Sequence, residues 1–138
     1  MEKYYSKIKP GLLLHIIVRL RDFKQDRIEV IEPDNFLQCA ILRLDDGKTF
    51  RPHKHVDKDV TYETTKAQEG WIVIRGLIRC TLYDIDDTIL ATPYLGEGDS
   101  SFTLNGGHTF TVLEDNTFAY EIKSGPYFGQ EKDKTFIE

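Results

Sequence analysis

Two histidines separated by a single lysine, His53 and His55, stand in the stretch RPHKH (51–55), and the whole chain holds only four histidines. On a strand, alternate side chains share a face ~7 Å apart. Two imidazoles leaning together from such positions reach one metal ion at roughly 2 Å each. Off a strand, the same pair is two solvent-exposed histidines near a turn. A third histidine, His108, follows the paired glycines of LNGGH (104–108), where the backbone can turn tightly and leave room beside the ring. Glu69 stands at the mouth of the apolar run QEGWIVIRG (68–76). It is either an exposed turn residue or a carboxylate in need of a partner, because an unpaired buried charge is costly.

The residues around these four add binding chemistry. If strand parity holds, Arg51 points with the two histidines and Arg75 with Glu69. Each is suited either to a bidentate grip on a carboxylate or phosphate or to a structural salt bridge. Trp71, Phe110, Phe118 and Tyr120 could wall a pocket for a flat or cyclic ligand, or fill a core. The fourth histidine, His15, lies between Leu14 and Ile16 and reads as a core or strand histidine. Asp84, Asp86 and Asp87 follow no calcium-loop pattern and read as a solvated turn. No glycine cradle with an adjacent lysine points to nucleotide binding.

The elements that must position these residues are strands. IRCTLYD (78–84), HTFTVLE (108–114) and TFAYEIKS (117–124) alternate with period two and are rich in β-branched and aromatic residues. Asp, Asn and Gly punctuate the chain at DDGK (45–48), LGEGDS (95–100), NGGH (105–108) and KSGPY (123–127). The pattern predicts strands over roughly 12–20, 27–32, 37–44, 49–55, 68–75, 77–84, 88–94, 100–103, 108–113 and 117–123. It leaves LLLHIIVRLRDF (12–23) open to a short helix near the N-terminus. So many short strands in 138 residues mean an all-β sandwich or barrel.

Together these pieces resemble the cupin superfamily. Gly47, five further residues, His53, Lys54 and His55, then Glu69, six residues and Gly76, follow the first cupin motif. LGEGDSSFTLNGGHTFTV (95–112) is similar to the second. More narrowly, TFRPHKH, QEGWIVIRG, GGHTFTV and SGPYFGQEKDK resemble a small group of cupin-fold metalloproteins often encoded with genes for surface-polysaccharide biosynthesis. The resemblance implies a single cupin domain over 1–138. Its jelly-roll β-barrel core would span roughly 37–124, with a polar C-terminal tail at 129–138. It implies one divalent transition metal, Fe, Mn, Ni, Co or Zn, held by His53, His55, Glu69 and His108. Those four ligands would saturate tetrahedral zinc, whereas a six-coordinate ion would keep positions for water or substrate. Strand parity and side-chain chemistry add Arg51, Arg75, Trp71, Phe110 and Tyr120 toward substrate. The expected function is metal-dependent action on, or binding of, a small polar molecule such as a sugar derivative, with isomerase, epimerase or oxygenase chemistry open. The alternatives are a non-catalytic binding or sensing module and an interaction protein with a structural metal. It also implies a homodimer. The sequence departs from the motif in the thirteen residues between His55 and Glu69. That stretch reads as a longer loop at the barrel mouth, tolerable because loop closure entropy grows slowly with length, and it offers Glu63 as a rival ligand and Tyr62 as a further contact.

Composition limits the remaining choices. The net charge of −5, with lysines and arginines dispersed among acids, gives no phosphate-tracking stripe and excludes a nucleic-acid partner from the expectations. No run reaches membrane-spanning length, and the start, MEKYYSKIKP, lacks the apolar block of a signal peptide. The two cysteines, Cys39 and Cys80, read as reduced core thiols. A cytoplasmic protein is expected, with no membrane association.

Overall fold

The computed structural model describes residues 1–24, 27–57 and 65–138. Its strands are β1 (Glu2–Tyr5), β2 (Leu13–Val18), β3 (Arg27–Glu29), β4 (Ala40–Leu42), β5 (Glu69–Arg75), β6 (Ile78–Tyr83), β7 (Ile89–Ala91), β8 (Tyr94–Leu95), β9 (Ser100–Thr103), β10 (Gly107–Val112) and β11 (Phe118–Lys123). A 3-10 turn, Leu20–Asp22, follows β2, and one helical turn, α1 (Gln130–Asp133), lies near the C-terminus. The ambiguous stretch 12–23 is therefore strand first and 3-10 turn second. Its run of buried residues, Leu14 to Val18, fits a central strand covered on both faces.

A five-stranded antiparallel sheet has the order β1-β2-β9-β5-β11, and a second sheet has the order β10-β6-β7 with β8 also paired to β6. β3 and β4 form a separate two-stranded ribbon. The period-two pattern decides which side chains meet. Ile17, Trp71 and Val73 leave one face of the five-stranded sheet and pack on Ile78, Cys80, Leu82 and Leu95 of the second sheet. Ile16, Val18 and Phe102 leave the opposite face and pack on Val30, Ile31, Ile41 and Leu104. Two apolar layers thus hold three antiparallel sheets, as sheet-on-sheet packing requires. Both cysteines are free thiols, and burial pushes the Cys80 thiol up to about 12.

This architecture corrects the jelly-roll expectation and, with it, the cupin resemblance. The sheets are open: β1 and β11 end one, while β10 and β7 end the other, and among the described residues no ladder joins them into a barrel. The strand expected over 49–55 is irregular, and residues 42–57 are exposed throughout. Within 49–55, TFRPHKH offers Phe50 as its one large apolar side chain, and Phe50 is exposed. Pro52 has no N–H to donate to a ladder. A segment with no apolar face gains nothing by joining a sheet. Among the described residues, no helix is long and apolar enough to cross a membrane.

Candidate functional site

Strand register sets one row of polar side chains across the five-stranded sheet. Tyr4 pairs with His15, His15 with Thr103, Thr103 with Glu69 and Glu69 with Lys123. Residues directly opposite each other in antiparallel strands project to the same face. The row therefore projects toward the second sheet, and His108, paired with Leu82 on β10, meets it from there. Gly106 allows this approach. Its φ is +76°, and a side chain there would run into the Tyr83 carbonyl and crowd the His15 ring.

The protons in this row follow by elimination. His15 is fully buried, with Nε2 2.9 Å from the Tyr83 carbonyl oxygen and Nδ1 2.9 Å from Thr103 Oγ1. Burial pushes the pKa of His15 down, outweighing the Tyr83 hydrogen bond and the Asp84 charge, so the ring is neutral. A carbonyl only accepts, so Nε2 carries the hydrogen and donates to Tyr83. Nδ1 of His15 then accepts from the Thr103 hydroxyl. Thr103 has spent its single hydrogen, so it accepts from Nδ1–H of His108, 2.7 Å away. The neutral His108 ring is left with a bare lone pair on Nε2, and that nitrogen lies 3.5 Å from Glu69 Oε1.

Two acceptors therefore face each other. Burial lowers His108 to about 4, helped by His15 and Lys134. Burial raises Glu69, and the Glu121 charge adds to this against the pull of Lys134 and Lys123. Carboxylate and imidazole are thereby driven toward each other in basicity. Aromatic rings fix the geometry. His108 lies over Trp71 at 4.4 Å between centroids, and Phe110 meets Trp71 edge-on at 4.7 Å.

The pair opens into a cleft of about 1020 Å³ between the two sheets. Trp71 and Phe110 form one wall and Glu121 lines another; Asp133, Lys134 and Ile137 of the C-terminal tail close a third. Lys123 holds the tail through Asp133 at 2.9 Å and also lies 4.4 Å from the Tyr127 ring centroid. Ile137 packs on Gly107 where a larger residue would sit.

Of the nine residues the sequence singled out, Glu69, Trp71, His108 and Phe110 come together here. His53 and His55 do not. They stand exposed outside the sheets, their rings 5.2 Å apart edge to face, with His53 Nδ1 donating to the Arg51 carbonyl oxygen at 2.9 Å. Arg51 is exposed beside them, and Arg75 is exposed at the far end of β5 from Glu69. Tyr120 pairs with Ile72 and so projects away from the cleft, 66% exposed. Tyr62 and Glu63 lie outside the described residues. The expected divalent transition metal at His53, His55, Glu69 and His108 is thus corrected: among the described residues, no three His, Cys, Asp or Glu side chains are grouped to hold a metal. Nδ1 of both His15 and His108 is already committed to Thr103. The catalytic and the structural metal readings fall together.

Sequence reasoning missed Thr103, Glu121, Lys134 and the connecting part of His15. His15 was expected to be a satisfied strand histidine, and its two hydrogen bonds agree with that. One usable signal was the short T-x₄-H spacing of Thr103 and His108 around Gly106 and Gly107. The pairing of β2 with β9 is not written in any local pattern. Compared with family models, curated proteins and solved structures, the chain matches none of them.

Proposed function

We propose that the protein binds a small polar molecule in the cleft between its sheets, held by Glu69 and His108 against the Trp71–Phe110 wall. The observation that carries this reading is the pair itself: His108 Nε2 and Glu69 Oε1 lie 3.5 Å apart, and both are acceptors. A buried carboxylate, 8% exposed, is stable only with a hydrogen-bond partner or counter-charge. Lys134 and Lys123 act on it by charge from beyond ion-pair distance and its neighbour offers a lone pair, so a ligand supplies the hydrogen-bond donor. A few convergent polar groups beside aromatic walls are what small-molecule sites present. With its affinity for protons raised by burial, Glu69 is also the group placed to accept a proton from a bound ligand.

The test is a fragment screen of small polar molecules by NMR, in buffer containing EDTA so that stray metal ions play no part. Ligands that shift both the Trp71 indole and the His108 ring resonances are expected, with the Trp71 shift lost in His108→Ala. A screen in which no compound moves the two together defeats the proposal.

A further inference from the structure

We infer that the ligand of this cleft carries a primary ammonium group, seated between Glu69 Oε1 and His108 Nε2; this rests on the small-molecule reading above and narrows it. Each acceptor needs a hydrogen, and they are close enough at 3.5 Å for one donor atom to reach both. A ligand hydroxyl brings one hydrogen and turns its own lone pairs on the other acceptor. An ammonium brings three hydrogens and a positive charge. The charge is matched by Glu69 and by Glu121, which lines the same cleft close enough to raise Glu69 by repulsion. Of the cations near these two carboxylates, Lys123 is engaged with Asp133 at 2.9 Å. Lys66 and Lys132 line the cleft as exposed side chains, with Glu131 as an opposite charge in the tail wall. The selection for an ammonium therefore rests on the two facing acceptors rather than on the net charge of the opening.

Lys134 lines the cleft and acts on Glu69 through its charge, yet it is not within ion-pair distance. Its ammonium competes from the tail for the negative charge that the ligand's ammonium would meet. Trp71 and Phe110 supply an apolar flank for the carbon body of such a ligand.

The experiment compares benzylamine with benzyl alcohol near neutral pH, again with EDTA, following the His108 ring and Trp71 indole resonances of the full chain. The amine is expected to bind about tenfold more tightly than the alcohol, as a charge-assisted hydrogen bond outweighs a neutral one. Glu69→Gln is expected to remove that preference. Lys134→Gln, on the exposed tail, is expected to strengthen amine binding about threefold by removing a like charge. Equal binding of both probes, a preference that survives Glu69→Gln, or no binding of the amine overturns the ammonium assignment. Binding of the alcohol, or of any other neutral compound, with shifts at both residues leaves the small-molecule reading standing, so the two failures are distinct.

Discussion

Thr103 has one hydroxyl hydrogen, and where it points decides which nitrogen of His108 is bare. Donation to His15 Nδ1 leaves Thr103 accepting from His108 Nδ1, and the basic face of His108 turns to Glu69. The consequence for stability follows from the pKa values. His108 drops from 6.5 to about 4 on burial, so its contribution is complete above the unfolded value and is lost as pH falls from there toward 4. His15, also lowered by burial, acts in the same sense. Glu69 is raised above 4.5 and acts oppositely: its contribution is present below the unfolded value and is lost as pH rises through the folded one. Urea denaturation is expected to show the chain weakening as pH falls across the histidine window. His108→Gln should flatten that slope by up to about 1.4 kcal/mol per pH unit, one proton's worth. Identical slopes in the two proteins would mean that His108 titrates as it does in the unfolded chain.

Asp84 works one level up, joining elements. Ser6 Oγ donates to its carboxylate at 2.6 Å, as do the N–H groups of Lys7 at 2.6 Å and Ile85 at 2.7 Å. The loop between β1 and β2 is thereby fixed to the end of β6. Burial pushes the carboxyl up, but these hydrogen bonds outweigh it and hold Asp84 below its usual range. Asp84→Ala leaves three donors without an acceptor and is expected to cost about 3 kcal/mol in urea denaturation, with Asp84→Asn costing less. A loss within experimental error would show that water replaces the carboxylate freely. From the sequence alone Asp84 belongs to a solvated turn, because its partners lie 77 and 78 positions away. Strands with clean alternation, such as β6, β10 and β11, were legible because one face is apolar and the other is not. β1 was missed because EKYY (2–5) is short and only half covered by its neighbours. The strand expected over 49–55 does not form because, beyond Phe50, its residues are polar or Pro and supply no apolar face to bury. Glu69, Trp71, His108 and Phe110 were legible as site residues from their types. Their grouping depended on cross-strand register, which local pattern does not carry.

At the scale of the molecule, the C-terminal tail is a wall of the cleft rather than an appendage. Its attachment is modest: the Lys123–Asp133 ion pair and Ile137 seated on Gly107. Removing residues 129–138 is expected to cost about 1–2 kcal/mol, from one partly buried ion pair and one aliphatic side chain. The same deletion should raise acrylamide quenching of Trp71, the chain's single tryptophan and only 6% exposed in the intact fold. Unchanged quenching would show that the tail does not cover the aromatic wall. The polar row from Tyr4 through His15, Thr103 and Glu69 to Lys123 also bears on how the chain finds its pairing. A one-residue slip of β5 against β9 would turn Glu69 and Trp71 to the side where Phe102 packs and set Gly70 or Gln68 opposite Thr103 in place of Glu69. Misaligned sheets would therefore have to sink a carboxylate in hydrocarbon, and the polar lane through the middle of the protein serves as the key that admits a single alignment.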